Sequence, residues 1–250
     1  MARKNKAQRR RDRKKPRIGR AQPHRIFLEG VDSYLCEYHE LMKKSPIGHH
    51  VPVCEVGDDV WGQSEEEILR RTGYVGYEVV GYEADFEPVS VESRVGTACM
   101  ITVKVPSGPV RPLIFVNNDL RTASGDPDIE AGIKILMLLH EYGHARDVLK
   151  AINFDHEKQT LDLVAAEVYA HTFVVRQCRK RGYRIALGYY LEYIESQARS
   201  AEESLRLTAE RFVTETDVTE LKAWIAEDYL SDPRSPYYRE VDRRRRRGEL

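Results

Sequence analysis

The chain contains two histidines four residues apart, His140 and His144, with Glu141 directly after the first. Residues four apart lie on one face of an α-helix, so both imidazoles can reach a single metal ion. A bound Zn²⁺ lowers the pKa of a water to about 7, and a neighbouring carboxylate can then accept its proton as the water attacks a carbonyl. The HExxH pattern therefore predicts hydrolysis assisted by Zn²⁺, with two histidine ligands and Glu141 as general base.

These three residues could instead lie on the solvated edge of a helix and take part in no chemistry. The run at 133–139 argues against that interpretation, because it is apolar on nearly all sides and predicts a central, buried helix. Two histidines and a glutamate are costly to bury there without partners. A metal ion would be such a partner.

A catalytic zinc site usually has three protein ligands and one position left for water or substrate. Metzincins place a third histidine six residues after the second, but that position is Lys150 here, which excludes them. The candidates for the third ligand are Asp155, His156, Glu157, Glu167 and His171. We favour Glu167, because its helix is otherwise apolar at that point and a carboxylate there needs a partner. His156, in the loop segment NFDHEK, is the alternative.

Two more polar residues are placed near the predicted ligands by their spacing. His171 follows Glu167 by one helical turn and is a candidate catalytic residue that donates to the oxyanion of a tetrahedral intermediate. It could equally be a core histidine bonded to backbone. Asp147, three residues after His144, could accept the second ring N–H of a ligand histidine or could lie at the surface.

The elements that must position these residues follow from hydrophobic periodicity and turn signals. Strands are predicted at 100–105 and 112–117, joined by the turn-rich segment PSGPVRP. Asp126 could cap the motif helix and Pro127 could begin it. The other helices are expected at 26–44, at 157–180 with its end at Gly182, at 184–212 and at 216–229.

The motif HEYGH and the later segment EVYAHTF together resemble the gluzincin metallopeptidases, within them the ImmA/IrrE-like group. That group has HExGH followed by a helix with ExxA(N/D)xF, and the resemblance covers roughly residues 110–178. It implies an α+β, zincin-like fold in which a small mixed sheet precedes the active-site helix and further helices follow. It also implies that His140, His144 and Glu167 bind Zn²⁺, that Glu141 is the base, and that Ala170 and Phe173 pack the helix.

The chain departs from the ImmA/IrrE-like pattern at His171, where the family has a small polar residue. It also shows no helix-turn-helix or sensor domain, so the family's antagonism of DNA-bound repressors is not carried over. SprT-like proteases are the competing group, and in that case His156 would be the third ligand. In zincins the strand before the active helix binds substrate backbone through main-chain hydrogen bonds, and residues 112–118 are the candidate for it. The alternative is an ordinary internal strand.

The formal net charge of zero conceals two basic tails on an acidic body. Of the 40 Lys and Arg, 11 lie in residues 1–20 and 7 in residues 232–250, which leaves 22 against 35 Asp and Glu between them. We expect a disordered basic tail at 1–22, a metallopeptidase domain at 23–231 and a disordered Arg-rich tail at 232–250. The tails could bind nucleic acid or another polyanion, or could simply keep the protein in solution.

The cysteines Cys36, Cys54, Cys99 and Cys178 are far apart and form no CxxC pair. That distribution fits reduced thiols in a cytoplasmic protein better than a disulfide framework or a cysteine zinc site. No apolar run approaches the 18–20 residues or so of a membrane span. The expected partner is a protein or peptide substrate, and the oligomeric state is left open.

Features of the sequence also fit two other classes of function in part. The first is a regulatory, nucleic-acid-associated protein on a zincin scaffold with little or no proteolysis. In that case the basic tails would bind the nucleic acid. The second is a carboxylate-bridged di-iron helix bundle, of which Glu141 and His144 would supply half. A second ExxH is required for that site, and the histidine after Glu167 stands at the fourth position instead of the third.

Overall fold

The structure is a computed structural model, and it describes residues 31–84, 98–119 and 127–229 together with Arg243, Arg246 and Arg247. Helices and strands both build the fold, which is α+β as the sequence predicted. Apart from those three arginines, the basic tails lie outside the described residues, and so does the predicted helix cap Asp126.

In chain order, the described helices are α1 (Val31–Lys43), α2 (Asp58–Trp61), α3 (Glu65–Arg71), α4 (Pro127–Lys150), α5 (Leu163–Arg181), α6 (Arg184–Gln197), α7 (Glu203–Glu215) and α8 (Val218–Tyr229). The strands are β1 (Val53–Val56), β2 (Glu78–Val79), β3 (Glu83–Ala84), β4 (Ala98–Lys104), β5 (Val110–Asn117), β6 (Phe154–Asp155) and β7 (Thr160–Leu161). Strands β4 and β5 and the motif helix α4 fall where the sequence predicted them.

Strand β5 is one of the two interior strands of a four-stranded sheet with the order β1-β5-β4-β2. It pairs in parallel with β1, where Val53 lies opposite Ile114, and antiparallel with β4 along its length. The prediction that residues 112–118 form a substrate-binding edge is therefore wrong, because both sides of this strand are occupied. Helices cover both faces as well, which explains why the segment reads as a continuous apolar run.

Helix α4 lies at the centre of the main core, packed against α1, α5, α6, β4 and β5. Its buried side chains include Ile135, Leu138 and Leu139, which meet Ile114 and Val116 on one face of β5. A second cluster on the opposite face of the sheet joins Leu113 and Phe115 to α2 and α3. The helix that carries the HExxH motif is thus held on several sides by the core.

The helix carrying Glu167 begins at Leu163, six residues later than the predicted start at 157. Asp162 caps it by accepting the Ala165 N–H at 2.9 Å, and the residues before it form a turn and β7. It ends as predicted at Gly182, whose φ of 75° is the left-handed conformation that suits glycine. The helix predicted at 184–212 is two helices, α6 and α7, separated by residues 198–202.

A second sheet has three strands in the order β3-β7-β6, and two of them, β6 and β7, come after the motif helix in the chain. The prediction that the strands precede this helix is therefore wrong for these two. The second sheet ties residues 154–161 to the segment at 83–84. Among the helices in the described ranges, none has the length and apolar character that crossing a membrane requires.

Candidate metal centre

Helices α4 and α5 are in close contact at Gly143 and Ala170. A Cβ atom added to Gly143 would lie 2.7 Å from the Ala170 Cα and 3.1 Å from its Cβ, closer than carbon atoms pack. Gly143 lies between the two motif histidines, and Ala170 is almost one turn after Glu167. The small residues therefore let the two helices approach until Glu167 faces both imidazoles.

His140, His144 and Glu167 form a group that could hold a metal ion, since their ligand atoms all lie within 4.8 Å of one another. The two Nε2 atoms are 3.0 Å apart. Glu167 reaches both, with Oε2 3.2 Å from His140 Nε2 and Oε1 3.3 Å from His144 Nε2. Two adjacent turns of α4 and one position of α5 thus direct two imidazoles and a carboxylate at a common point.

The pKa of each titratable side chain in this group depends on the charges of its neighbours. Burial alone would lower the pKa of His144, but the Glu167 carboxylate, helped by Glu141 and Asp147, raises it to about 9. Burial likewise opposes ionisation of Glu167, yet the two imidazoles hold its pKa well below the usual range. Glu167 is therefore a carboxylate, the form that binds a cation.

Glu141 lies beside this group, next to the neighbouring sheet. It is 8% exposed and lies near the backbone of Met100 in strand β4. Burial raises the pKa of Glu141, although the positive charge of the two histidines and the Met100 backbone oppose that shift. The predicted general base is thus a buried carboxyl group, one residue from a candidate ligand.

His171 lies next to the group without joining the three candidate ligands. Its ring centroid is 4.9 Å from that of His140, and its Nδ1 atom is 2.8 Å from the Tyr190 hydroxyl. Burial, reinforced by the nearby charge of His140, lowers the pKa of His171 to about 3, so this imidazole is neutral. The predicted position beside the site is correct, and the partner is a tyrosine side chain instead of backbone.

Tyr190 is a residue that the sequence did not single out. Its hydroxyl, on α6, lies 3.0 Å from His140 Nδ1 as well as 2.8 Å from His171 Nδ1. A buried tyrosine hydroxyl needs a hydrogen-bonding partner, but the segment GYYLEY does not indicate which tyrosine faces inward or what it meets.

His156 makes its hydrogen bonds near the second sheet and is not part of the candidate metal centre. Its Nδ1 atom lies 2.8 Å from the Tyr82 hydroxyl, and its Nε2 atom lies 2.8 Å from the Val148 carbonyl oxygen, to which it donates. Both ring nitrogens are therefore engaged away from His140. Its neighbour Asp155 accepts the backbone N–H groups of Glu157 and Lys158 at a turn. The group of candidate ligands includes none of Asp155, His156 and Glu157.

Asp147 holds the segment after the motif helix. Its side chain is fully buried, and its two oxygens accept from the Asn153 backbone N–H at 2.8 Å and the Asn153 side-chain amide at 2.7 Å. The predictions of an acceptor for a ligand histidine and of a surface residue are both wrong. Asp147 affects His144 through its negative charge, which helps to raise that pKa.

Comparisons of the chain with protein-family models, curated proteins and solved structures found no match. The function is therefore inferred from the residues and their geometry.

Proposed function

We propose that this chain is a zinc-dependent metallopeptidase with a zincin-like active site, of the ImmA/IrrE-like type that its motifs resemble. The observation that supports this most is the convergence of His140, His144 and Glu167 beside a buried Glu141. Two imidazoles and one carboxylate are a ligand set of catalytic zinc, and the fourth position is left for water or substrate.

The distances within the group are compatible with zinc. Bonds of 2.0–2.1 Å to a tetrahedral ion place any two ligand atoms about 3.3–3.4 Å apart. The two Nε2 atoms are 3.0 Å apart, and Glu167 lies 3.2 and 3.3 Å from them through two different oxygens, so the imidazoles and the carboxylate would have to shift to admit the ion. Glu167 faces the two histidines with different oxygens, and either oxygen could be the ligand.

When bound, zinc would polarise the scissile carbonyl and lower the pKa of the attacking water to about 7. Glu141 would accept the proton of that water and deliver it to the nitrogen of the leaving amine. Burial favours the protonated form that must exist between the two steps.

An extended peptide is the substrate class that the neighbouring sheet accommodates best. On the outer side of β4, β2 pairs only with Val103 and Lys104, and Val80 donates to the Thr102 carbonyl. Within the described residues, no strand pairs with that side from Ala98 to Ile101. Since the Met100 backbone is near enough to Glu141 to lower its pKa, a peptide added along this strand would pass near the general base.

The experiment that tests this function is the substitution Glu141→Gln, assayed with zinc content and peptide hydrolysis in parallel. The amide keeps the size of the side chain but cannot accept the proton. We expect unchanged zinc content and hydrolysis slower by about 10²–10⁴-fold, the usual contribution of a general base. Hydrolysis at the wild-type rate would overturn the proposed mechanism.

The proposed setting is intracellular, as the sequence predicted. All four cysteines lie in the described residues and are free thiols, Cys178 buried and Cys36 exposed. Free thiols are the usual state in reducing compartments.

A further inference from the structure

The hydroxyl of Tyr190 lies between two imidazoles that belong to different helices. It is 3.0 Å from Nδ1 of His140 on α4 and 2.8 Å from Nδ1 of His171 on α5. Tyr190 itself is 2% exposed. The ring of Phe212 on α7 packs against His171, with 5.7 Å between the ring centroids. The three polar side chains therefore form a row in which Tyr190 and His171 are buried and His140 is partly exposed.

The number of available protons fixes the direction of this row. A tyrosine hydroxyl has one hydrogen, so it donates to one imidazole and accepts from the other. His140 can offer its Nε2 lone pair to a metal only if its proton is on Nδ1, and that N–H must then donate to the Tyr190 oxygen. The Tyr190 O–H is left to donate to Nδ1 of His171, whose own proton is on Nε2.

We propose that Tyr190 is the positioning residue that fixes the tautomer and ring orientation of His140, with His171 as the acceptor that orients the Tyr190 hydroxyl. This inference rests on the proposed metal site and adds two residues to it. It gives His171 a role one step away from the ligand instead of a role at the substrate.

Tyr190 acts through His140 because of where its hydroxyl lies. It contacts Nδ1, whereas the group of candidate ligands meets at Nε2, the other nitrogen of the ring. The next tyrosine along α6, Tyr193, is 48% exposed and is not part of the row. Partners of this kind raise the affinity of a histidine site for metal by holding the ring in its bound orientation before the ion arrives.

The test compares Tyr190→Phe with Tyr183→Phe. Tyr183 is also fully buried, and its hydroxyl donates to Glu37 at 2.5 Å, so its substitution also removes a buried tyrosine hydroxyl, but away from the ligands. The zinc dissociation constant is measured by competition with a chromophoric chelator. We expect zinc affinity to fall by about 10–100-fold in Tyr190→Phe and to stay within about twofold in Tyr183→Phe. Equal affinities of Tyr190→Phe and wild type would overturn the inference.

Two substitutions of His171 test the other end of the row. Asparagine places its amide oxygen near the position of Nδ1, so His171→Asn retains an acceptor for Tyr190, whereas His171→Leu removes it. We expect zinc affinity to fall more in His171→Leu than in His171→Asn. Equal affinities of the two variants would show that the acceptor has no role and would overturn this part of the inference.

A measurement without metal separates failure of the inference from failure of the proposed function. The ¹⁵N chemical shifts of the histidine rings report, in the metal-free protein, which nitrogen carries a proton and which accepts a hydrogen bond. We expect the Nδ1 shifts of His140 and His171 to report hydrogen bonds to the Tyr190 hydroxyl, and to change in Tyr190→Phe and not in Tyr183→Phe. A wild-type protein that binds no zinc would overturn the proposed function, while an unaltered shift in Tyr190→Phe would overturn the row itself.

Discussion

Gly143 lies so close to Ala170 that a Cβ atom on the glycine would be 2.7 Å from the Ala170 Cα. This contact sets the distance between the helix that carries two candidate ligands and the helix that carries the third. The glycine within HEYGH therefore determines the geometry of the site without any chemical group of its own.

Gly143→Ala should force α4 and α5 apart. Overpacking of this kind typically costs about 1–3 kcal/mol of unfolding free energy, and the displacement of Glu167 should also weaken zinc binding. Denaturant unfolding of the metal-free protein and chelator competition would measure the two effects.

Gly132→Ala is the matched control, because Gly132 lies in the same helix and an added Cβ there meets nothing within 4 Å. It should leave zinc affinity unchanged and raise stability by up to about 1 kcal/mol through helix propensity. If the two variants behave alike, the close crossing of the helices has no role in the site.

Replacing Glu167 and replacing His156 should have opposite effects on zinc binding, because only Glu167 belongs to the group of candidate ligands. His156→Ala should cost about 1–3 kcal/mol of stability, since it removes two partly buried hydrogen bonds, yet retain the zinc of the wild type. Zinc content is measured by elemental mass spectrometry after dialysis. Loss of zinc in His156→Ala would instead favour the SprT-like alternative.

Asp147→Asn should destabilise the segment that follows the motif helix. The amide has one acceptor oxygen where the carboxylate has two, so one of the two N–H groups of Asn153 loses its bond. We expect a loss of about 1–3 kcal/mol in thermal or denaturant unfolding, with one zinc still bound per chain. Glu157→Gln, at an exposed site in the same segment, should change stability by less than about 0.5 kcal/mol. A loss in Glu157→Gln as large as in Asp147→Asn would contradict the role of Asp147 in holding this segment.

The basic tails are predicted to give salt-dependent retention on nucleic acid. Each phosphate contact contributes close to one unit to the slope of log affinity against log salt concentration. Chains without residues 1–22 and 232–250 should lose that retention and keep their zinc. Retention that survives removal of both tails would refute this role and direct attention to the body of the protein.

Local signals in the sequence were sufficient for much of the fold. The apolar run before His140 and the segments that became β4 and β5 predicted elements that the structure contains. The start of the Glu167 helix was also readable, because Asp162 stands immediately before Leu163 as a capping residue should. The predicted start at 157 ignored that cap.

Relationships between distant segments were not readable. The sequence of β5 cannot show that β1 pairs with the side opposite β4, since that pairing joins residues far apart in the chain, such as Val53 and Ile114. For the same reason Met100 and Tyr190 were missed, because each contacts the site through the packing of a separate element. The spacing of His140, His144 and Glu167 was different, since helical periodicity and the need of a buried carboxylate for a partner both pointed to them.

The most direct test of the central claim is the zinc content of the purified protein after equilibration with zinc and removal of the excess. Wild type and Glu167→Ala are compared by elemental mass spectrometry, with Glu157→Ala as a control outside the group of candidate ligands. We predict about one zinc per chain in the wild type and in Glu157→Ala, and a large loss in Glu167→Ala. A wild-type protein that retains no zinc, or a Glu167→Ala variant that binds it as tightly as the wild type, would contradict the proposed metal centre.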